Sequence, residues 1–520
     1  MVDEMRRIGV PPVNPFYGGT DAPQRLAYYY LWHFSAAELS LLTHASGWEA
    51  DAALTWFTAF ASLMAMAGVA RLLGGGRWTP LFVVILAASA SARPVLYTLM
   101  GDDPVESIVG VRSGLAGWMF QAMWAPQHCA AAACLVLAVG ALGPMVRTPS
   151  LVRSITVALL MAATFEASTW IGGIVLPLAV IPVAVALLIK TAPAGRMRTF
   201  AVLAATGVLA MLLIAPLFYD QIQAAMSRGT TLITFRPYEV LSSSVLVSQS
   251  GRVANLVAYW LLFLPVEFLA SYVVGVLTLI FLLRRRASGA SDEIWPYCIL
   301  ILASLISTWL FASTYGDNND LGWRSVLPAA SALIIFAAIG FEILIVTKRS
   351  VALVAACVLL LLTAPDSGIL IYRNVVGHRS DSARIFAGTP ALWEAVRKHA
   401  GITERVANNP EFLADLTPWD VNISWALLAN RRSCYAGDAL VGPFSALPEQ
   451  RALAVQQQFD RIFSGNAEPE DLKALLTEYR CDAVVLTAED PAWPHDPFAT
   501  SSLYRLVDSA SGWRIYRRAD

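Results

Sequence analysis

Long apolar runs separated by short polar clusters dominate the chain from about residue 52 to residue 363. An α-helix needs about 20 predominantly apolar residues to cross the hydrocarbon core of a bilayer. The apolar run 154–190 is long enough for two helices, and we divide it at Trp170-Ile171-Gly172-Gly173; one helix there would lower the count to nine. With that division the pattern predicts about ten spans, near residues 52–73, 79–100, 128–145, 154–171, 173–190, 199–217, 256–283, 295–313, 326–346 and 350–371.

The charges between these runs predict the orientation, because cytoplasmic loops are enriched in Lys and Arg. The intervening loops 101–103, 219–255 and 315–324 are more acidic and more aromatic, and we place them outside. The alternation is unbroken only if 154–190 holds two helices, and it puts both the N-terminus and the C-terminal domain outside. Basic clusters occur in alternate loops, at Arg71 and Arg77, Arg147 and Arg153, 190–198, 284–286, and Lys348 and Arg349.

The segment 25–43, RLAYYYLWHFSAAELSLLT, precedes the first of these runs. It is rich in Tyr and Trp and contains His33 and Glu38. Such a composition is typical of an amphipathic helix lying in the membrane interface. The alternative is a poor first span, with the N-terminus inside.

The sequence therefore predicts a mainly α polytopic membrane helix bundle with a C-terminal α/β domain. We expect an external segment with an interfacial helix over residues 1–50, the helix bundle over 51–372 and a soluble external domain over 373–520. In that domain we predict helices near 393–400, 451–464 and 469–479, a strand at 483–486 and a closing hairpin around Ala510-Ser511-Gly512. It contains no nucleotide-binding loop or nucleophile motif, so we interpret it as an acceptor-binding or packing module.

Composition narrows the possible partners. Only 14% of the residues are charged, against about 25% in soluble proteins, and the formal net charge of -1 gives no basic excess for binding nucleic acid. The cysteines show no zinc-like spacing. Cys434 and Cys481 lie in the external domain, where a disulfide is chemically possible. We nevertheless favour two buried free thiols, because two cysteines in one domain often do not meet.

The N-terminal region has a characteristic order of segments. PPVNPFYGG (11–19) precedes the aromatic stretch LAYYYLWHF (26–34), the small-residue turn HASGWEAD (44–51) and a predicted span. This order resembles the first external loop and second span of the GT-C fold glycosyltransferases, such as the protein O-mannosyltransferases and the lipid A aminoarabinose transferases. It is similar to a bacterial branch with a Pro-Pro-x-Asn-Pro-Phe segment.

The resemblance implies an enzyme with many spans, long external loops and an external C-terminal domain. It also implies a first span and a first-loop catalytic acid ahead of the Pro-rich segment. Only Asp3 and Glu4 stand near that place. We expect either an upstream span before Met1 or the loss of that acid.

Asp102 and Asp103 follow a predicted span in YTLMGDDPVES. Paired carboxylates can bind a divalent cation or act as a general base for an acceptor hydroxyl, and the resemblance implies a second acid in this loop. The alternative is the start of a helix, with acidic residues before and after Pro104. Both interpretations stay open, and Asp102 and Asp103 are the candidate catalytic residues.

Arg93 lies inside an apolar run about two turns before that loop. A buried Arg in a membrane segment usually faces a cavity or a partner, and its fork of donors matches a phosphate. We predict that Arg93 binds the phosphate of a polyprenyl-phosphate sugar; the alternative is snorkelling to the interface.

His128, Asp320 and Arg324 complete the candidate substrate-binding residues. His128 opens a span in WAPQH, where it would contact sugar or phosphate, or be a satisfied interfacial histidine. Arg324 would grip the lipid phosphate with Asp320 orienting it, although the polar cluster 315–325 is also an ordinary Asx-rich turn. We expect Arg93, Asp102, Asp103, His128 and Arg324 to converge on one cavity at the outer face.

Glu166 and Glu267 also lie in apolar stretches. An ionisable residue there is a candidate functional group. The alternatives are a local hydrogen-bond network around Glu166 and a span that begins after Glu267.

The leading hypothesis is an inverting glycosyltransferase in the inner (plasma) membrane. It would move a sugar from a polyprenyl-phosphate donor to an envelope glycan, lipid or protein acceptor at the outer face. One alternative is a transporter or flippase, which would need charges near the bilayer midplane and often an internal repeat. Another is a non-catalytic scaffold for envelope assembly.

Overall fold

The computed structural model describes the chain except residues 21–24, 111, 112, 114, 116, 230, 286–290, 315–318, 377–380, 417, 418, 420, 422 and 520. The predicted basic residue Arg286 and the first part of the polar cluster, 315–318, therefore lie outside the described residues. The α-helices before the first membrane run are α1 (Val2–Ile8) and α2 (Leu31–Thr43).

The helix bundle follows. Its helices are α3 (Gly47–Leu72), α4 (Thr79–Ala87), α5 (Arg93–Met100), α6 (Asp102–Val109), α7 (Trp118–Trp124), α8 (Pro126–Arg147), α9 (Leu151–Ala167), α10 (Leu176–Lys190), α11 (Arg196–Arg228), α12 (Ser243–Leu246), α13 (Gln249–Ala258), α14 (Leu264–Glu267), α15 (Leu269–Arg284), α16 (Ser291–Leu310), α17 (Asp320–Ser325), α18 (Leu327–Val346), α19 (Ser350–Leu361) and α20 (Ala364–Val376). Two short strands, β1 (Ile233–Phe235) and β2 (Phe311–Ser313), pair antiparallel beside it.

In the described part of the chain, seven helices are long and apolar enough to cross a membrane, or eight if a bent pair is one span. The prediction of about ten spans is therefore not confirmed. The run 79–100 is broken after Ala87, and α9 has only 17 residues. The run 256–283 belongs to the bent pair, whose two halves, Gln249–Glu267 and Leu269–Arg284, meet at 117°.

The division of the run 154–190 is confirmed. Helix α9 ends at Ala167, and a π-helical turn, Ile171–Val175, leads into α10. Gly172 lies against α9 so closely that an added Cβ would stand 2.2 Å from the Cα of Phe165. Only a glycine permits the two segments to turn back this tightly.

The basic ends of the helices lie together. Arg147, at the end of α8, forms an ion pair of 3.3 Å with Glu293 at the start of α16. The ammonium group of Lys190 lies 4.6 Å from the ring centroid of Trp295. The opposite ends of these helices carry α7, α17 and the contacts with the C-terminal domain that are described below.

Helix α18 is the centre of the bundle. It is buried from Leu327 through Glu342, as expected for a helix that is apolar on all sides. The Glu342 carboxylate at its basic end accepts a hydrogen bond of 2.8 Å from the backbone N–H of Thr79. This bond satisfies one of the free N–H groups at the start of α4.

The C-terminal domain is α/β, as predicted. Its helices are α21 (Asp381–Gly388), α22 (Pro390–His399), α23 (Asp438–Ser445), α24 (Glu449–Phe463) and α25 (Pro469–Thr477), and its strands are β3 (Arg405–Ala407), β4 (Arg432–Ser433), β5 (Cys481–Thr487), β6 (Tyr504–Ala510) and β7 (Trp513–Arg518). The sheet order is β4-β3-β5-β7-β6. Strands β4, β3 and β5 are parallel, whereas β7 runs antiparallel to β5 and forms a hairpin with β6. The predicted helices, strand and hairpin are confirmed, although β3 and β4 were not predicted.

The N-terminal segment belongs structurally to this domain. Tyr17 forms a β-bridge with Tyr435, and the N–H of Gly18 donates to the carbonyl of Cys434 over 2.8 Å. Phe16, Tyr17 and Leu26 are buried in the core of the C-terminal domain. The two ends of the chain therefore form one folded unit, which the predicted separation of residues 1–50 from 373–520 did not anticipate.

The expectation of two free thiols in this domain is wrong. Cys434 and Cys481 form a disulfide, with their Cα atoms 5.6 Å apart. Cys434 directly follows β4 and Cys481 opens β5. Folding of the parallel sheet brings the two cysteines within the distance that a disulfide requires.

Candidate functional site

Three consecutive tyrosines lead from the N-terminal segment into α2. The rings of Tyr28 and Tyr29 are stacked, with centroids 3.8 Å apart. Phe444, on α23 of the C-terminal domain, packs edge-on against Tyr28 at 4.9 Å. The side chain of Gln221 on α11 donates to the backbone carbonyl of Tyr28 over 3.0 Å. The tyrosine pair therefore lies where the helix bundle meets the C-terminal domain.

A chain of hydrogen bonds runs from this pair into the bundle. The hydroxyl of Tyr28 donates to that of Tyr29 over 2.8 Å. The Tyr29 hydroxyl lies 3.0 Å from Nε2 of His128, and Nδ1 of His128 lies 2.8 Å from the Ser168 hydroxyl. Tyr29, His128 and Ser168 are buried, whereas Tyr28 is only half-buried. His128 thus joins α8 to the break after α9 and to the tyrosine segment.

Arg324 lies beside the same group. Its side chain is 7% exposed, donates to the Oε1 of Gln121 on α7, and lies 3.4 Å from the carboxylate of Asp320. Its Nε has no hydrogen-bond partner among the described residues. Arg324 and Asp320 interact electrostatically with Tyr28 and Tyr29, and Arg324 also with His128. The structure therefore brings together three of the predicted residues, His128, Asp320 and Arg324.

The start of α17 positions this arginine. The side chain of Asn319 caps the helix by accepting from the N–H of Gly322 over 3.0 Å. The same oxygen accepts from the N–H of Ser313 on β2 over 3.0 Å. This cap fixes the start of α17 to the small β-sheet, and Arg324 points toward Gln121 on α7.

The protonation states outside the spans follow from burial. Burial lowers the pKa of His33 to about 3, so its imidazole is neutral at neutral pH. Its Nε2 is buried and has no partner among the described residues, and its ring lies 5.6 Å from that of Tyr28. Burial also raises the pKa of Tyr28 to about 12, so its hydroxyl keeps its proton. These groups present neutral hydrogen-bonding atoms next to one cationic guanidinium.

Arg93 is placed elsewhere in the bundle and is completely buried. Its Nε donates to the Glu267 carboxylate over 2.5 Å, and its terminal nitrogens donate to the carbonyls of Gly110 and Val109 over 2.8 and 2.9 Å. These contacts neutralise the charge and occupy the donors that a phosphate would need. Arg93 and Glu267 together join α5 to the bend between α14 and α15.

Asp102 and Asp103 are exposed in the first turn of α6. The structure does not bring them into contact with Arg324: within the described residues, neither carboxylate has a hydrogen bond or an ion pair. No group of three or more His, Cys, Asp or Glu side chains that could hold a metal ion occurs in the part of the chain that the structure describes. A divalent cation at this pair would therefore have water or substrate as its remaining ligands.

The C-terminal domain contains a cavity of about 450 Å³ at the carboxyl ends of β3 and β5. Ligands of open α/β sheets bind at such a position, where neighbouring strands connect in opposite directions. The described side chains that line it include no Lys or Arg, but they include five carboxylates, of Glu411, Asp415, Asp460, Glu489 and Asp490. Burial raises the pKa of both Asp460 and Asp490. This acidic lining disfavours a nucleotide phosphate, which agrees with the absence of a glycine-rich loop after β3.

Comparison with known proteins finds one family model and one similar protein. Residues 382–517 match the model of the Y4nK C-terminal Rossmann-like domain. The uncharacterized protein y4nK of Sinorhizobium fredii (strain NBRC 101917 / NGR234) is 29% identical over 539 residues, which cover 99% of this chain and 79% of that protein.

Among solved structures, an Archaeoglobus fulgidus oligosaccharyltransferase, tethered to an acceptor peptide with the sequon NVT, superimposes with a TM-score of 0.45 and 10% sequence identity. The alignment covers 94% of this chain and 64% of the archaeal chain.

Several residues of the site were missed by sequence reasoning. Tyr28 and Tyr29 were interpreted as interfacial aromatics within the stretch that carries the resemblance, and Ser168 as part of a local network around Glu166. Gln121 and Phe444 were not considered. The side chains of Gln121 and Ser168 are buried in a bundle of mainly apolar helices. A search for uncharged polar residues in apolar runs would have identified both, because burying such a group without a partner is costly.

Proposed function

We propose that this protein is a membrane glycosyltransferase that moves a sugar from a polyprenyl-phosphate donor to an acceptor hydroxyl. The acceptor would be an envelope glycan, lipid or protein. The observation that carries the proposal is the buried guanidinium of Arg324 at the end of the bundle, whose Nε has no hydrogen-bond partner among the described residues. A buried donor without a partner costs about 1–3 kcal/mol, more when it is charged, and a phosphate oxygen is the partner that an arginine fork fits best.

The surroundings of Arg324 suit a lipid-linked sugar. The apolar helices would hold the polyprenyl chain, and the arginine would hold its phosphate. Tyr28, His33 and Phe444 offer ring surfaces and neutral polar atoms, which suit a sugar better than a second anion. The resemblance of the N-terminal segments to those of the GT-C enzymes supplies the reaction class.

The orientation supports a reaction at the outer face. The basic helix ends lie at the end of the bundle opposite to Arg324, and such clusters mark the cytoplasmic side. The site and the C-terminal domain would then face away from the cytoplasm, in the inner membrane of a bacterium. Asp102 and Asp103 would lie on the same side, because the carbonyl of Ser107 in α6 accepts a hydrogen bond of 3.2 Å from the N–H of Ser242 in the loop before α12. Their exposure suits contact with an incoming acceptor or a cation, and Asp320 would orient Arg324.

The test is binding and turnover by the full-length protein in lipid nanodiscs. Polyprenyl phosphate and a panel of radiolabelled polyprenyl-phosphate hexoses serve as the probes. We expect Arg324→Gln to weaken polyprenyl phosphate binding by about tenfold to a hundredfold, the value of a hydrogen-bonded charge. Arg236→Gln is the matched control, since Arg236 is an exposed arginine at the same end of the bundle. Equal binding by the two variants, or no release of sugar by the wild-type protein from any donor, would contradict the proposal.

A further inference from the structure

We infer that the hydrogen-bonded chain Tyr28–Tyr29–His128 is the proton acceptor for the attacking hydroxyl of this site. The inference rests on the proposed function, and it assigns the base to an imidazole relay rather than to Asp102 or Asp103. Only Tyr28 would touch the substrate; Tyr29 and His128 would act through it.

The direction of the hydrogen bonds supports a relay that accepts protons. Tyr28 donates to Tyr29, so the only hydrogen on the Tyr29 oxygen is free to point at Nε2 of His128. Nδ1 of His128 then carries the hydrogen that is donated to Ser168. Ser168 is suited to accept it, although it also accepts from the backbone N–H of Ile171 over 3.3 Å. This assignment leaves the Nε2 lone pair of His128 as the terminal acceptor.

The open end of the chain is at Tyr28. Its oxygen receives a long hydrogen bond of 3.4 Å from Gln127 and retains a lone pair. Tyr28 is half-buried, whereas Tyr29 and His128 are enclosed. An acceptor hydroxyl that enters between the bundle and the C-terminal domain would therefore reach Tyr28 first.

The step conserves atoms and charge. The acceptor oxygen forms its bond to the anomeric carbon while the bond from that carbon to the phosphate oxygen breaks, and the leaving polyprenyl phosphate takes the electron pair. The proton of the acceptor moves to Tyr28 as the Tyr28 proton moves to Tyr29 and the Tyr29 proton moves to His128. The resulting imidazolium returns its proton through the same chain to the leaving phosphate before release, or to water once the products have left.

The charges around His128 make this relay depend on the donor. Arg324, His33 and Tyr29 are the titratable groups that act on the imidazole from the neighbouring elements. Without a ligand, the guanidinium of Arg324 opposes a second positive charge on His128. A phosphate bound to Arg324 would offset that charge and favour proton transfer to His128 while the donor is in place.

The experiment uses the full-length protein in nanodiscs with the donor that the wild-type protein turns over. His128→Gln can still accept a hydrogen bond from Tyr29, but it cannot take up a proton. We expect it to lower kcat by about a hundredfold or more, with little change in the KM for the donor. The wild-type rate should fall on the acid side as His128 becomes protonated, and His128→Gln should lose that dependence. A purely structural role would change stability without moving the pH profile.

Tyr28→Phe is a second test of the relay, and Tyr30→Phe is its matched control. Both remove one hydroxyl from the same segment, but the Tyr30 hydroxyl bonds to the carbonyl of Leu26 and lies outside the relay. Tyr28→Phe should lower kcat, whereas Tyr30→Phe should not, and this comparison decides the matter even if His128→Gln does not fold. Wild-type kcat and pH dependence in Tyr28→Phe would overturn the relay and leave the proposed function standing. Absence of turnover by the wild-type protein would overturn both.

Discussion

Arg93 shows how a residue that sequence reasoning selected as a ligand can serve the fold instead. It and Glu267 are 174 positions apart, and each is almost fully buried. A single buried charge inside apolar helices is unfavourable, and the structure resolves this by pairing the two. Arg324 differs because its Nε remains without a protein partner among the described residues.

Arg93→Met should therefore act on stability and not on donor binding. It leaves the carboxylate of Glu267 buried without its partner, and we expect a loss of about 3–5 kcal/mol in the free energy of unfolding. The double variant Arg93→Met/Glu267→Met should recover much of that loss. Thermal unfolding in nanodiscs measures both, and a selective loss of polyprenyl phosphate binding without destabilisation would show that Arg93 is a ligand after all.

The ionisation of the Asp471 carboxylate makes the stability of the C-terminal domain depend on pH. Burial alone would raise its pKa, but hydrogen bonds from the side chain of Arg461, the N–H of Glu468 and the side chain of Gln458 outweigh burial, and the pKa is lowered. Because the folded pKa lies below the unfolded one, the stabilisation is complete above the ordinary Asp pKa of about 4. It is lost as pH falls through the lowered folded pKa.

Asp471→Asn should remove this dependence. Hydrogen–deuterium exchange of α24 and α25, measured in the full chain from neutral to acidic pH, should show wild-type protection falling on acidification. The variant should be less protected at neutral pH and nearly constant. Glu470→Gln is the control, because the neighbouring Glu470 is exposed; it should retain the wild-type profile.

The N-terminal segment behaves as an element of the C-terminal domain. Its bridge to Tyr435 lies next to Gly18, where an added Cβ would stand 2.2 Å from the carbonyl oxygen of Tyr479. The guanidinium of Arg405 holds the same segment by donating to the carbonyl of Asn14 over 2.8 Å. This close approach allows no side chain at position 18.

Gly18→Ala should displace the segment from the sheet. We expect faster proteolysis and faster amide exchange in residues 1–20, together with weaker donor turnover, because Tyr28 follows the same segment. Gly388→Ala is the control, since a Cβ at Gly388 would meet no atom within 4 Å. Normal protection of the segment in Gly18→Ala would contradict this account.

The basic helix ends lie on one side of the molecule. The folded unit formed by the N-terminal segment and the C-terminal domain lies on the other side. This arrangement predicts opposite signals from topology reporters fused after Arg286 and after Asp520. A reporter that is active only in the cytoplasm should respond after Arg286 and stay silent after Asp520. Equal signals would refute the orientation, and with it the placement of the Arg324 site at the outer face.

Much of the helix bundle could be predicted because crossing a bilayer depends on local composition. A run of about 20 apolar residues is visible without knowledge of any partner, and so are the basic clusters between runs. The count of about ten spans was not confirmed, because some apolar sequence is not helical throughout, as in the run 79–100. The helices and hairpin of the C-terminal domain were likewise predictable from periodicity and turn residues.

The sequence by itself determined the membrane character, most apolar helices and the chemical nature of the candidate residues, because these depend on each residue and its near neighbours. Only the tertiary structure decided which of those residues meet. Arg93 forms an ion pair with Glu267, His128 lies within hydrogen-bond distance of a tyrosine 99 positions away, and Cys434 forms a disulfide with Cys481. Local pattern reports which side chains are buried, but the partner of a buried polar group depends on how helices and strands pack, and that contact is made between segments far apart in the chain.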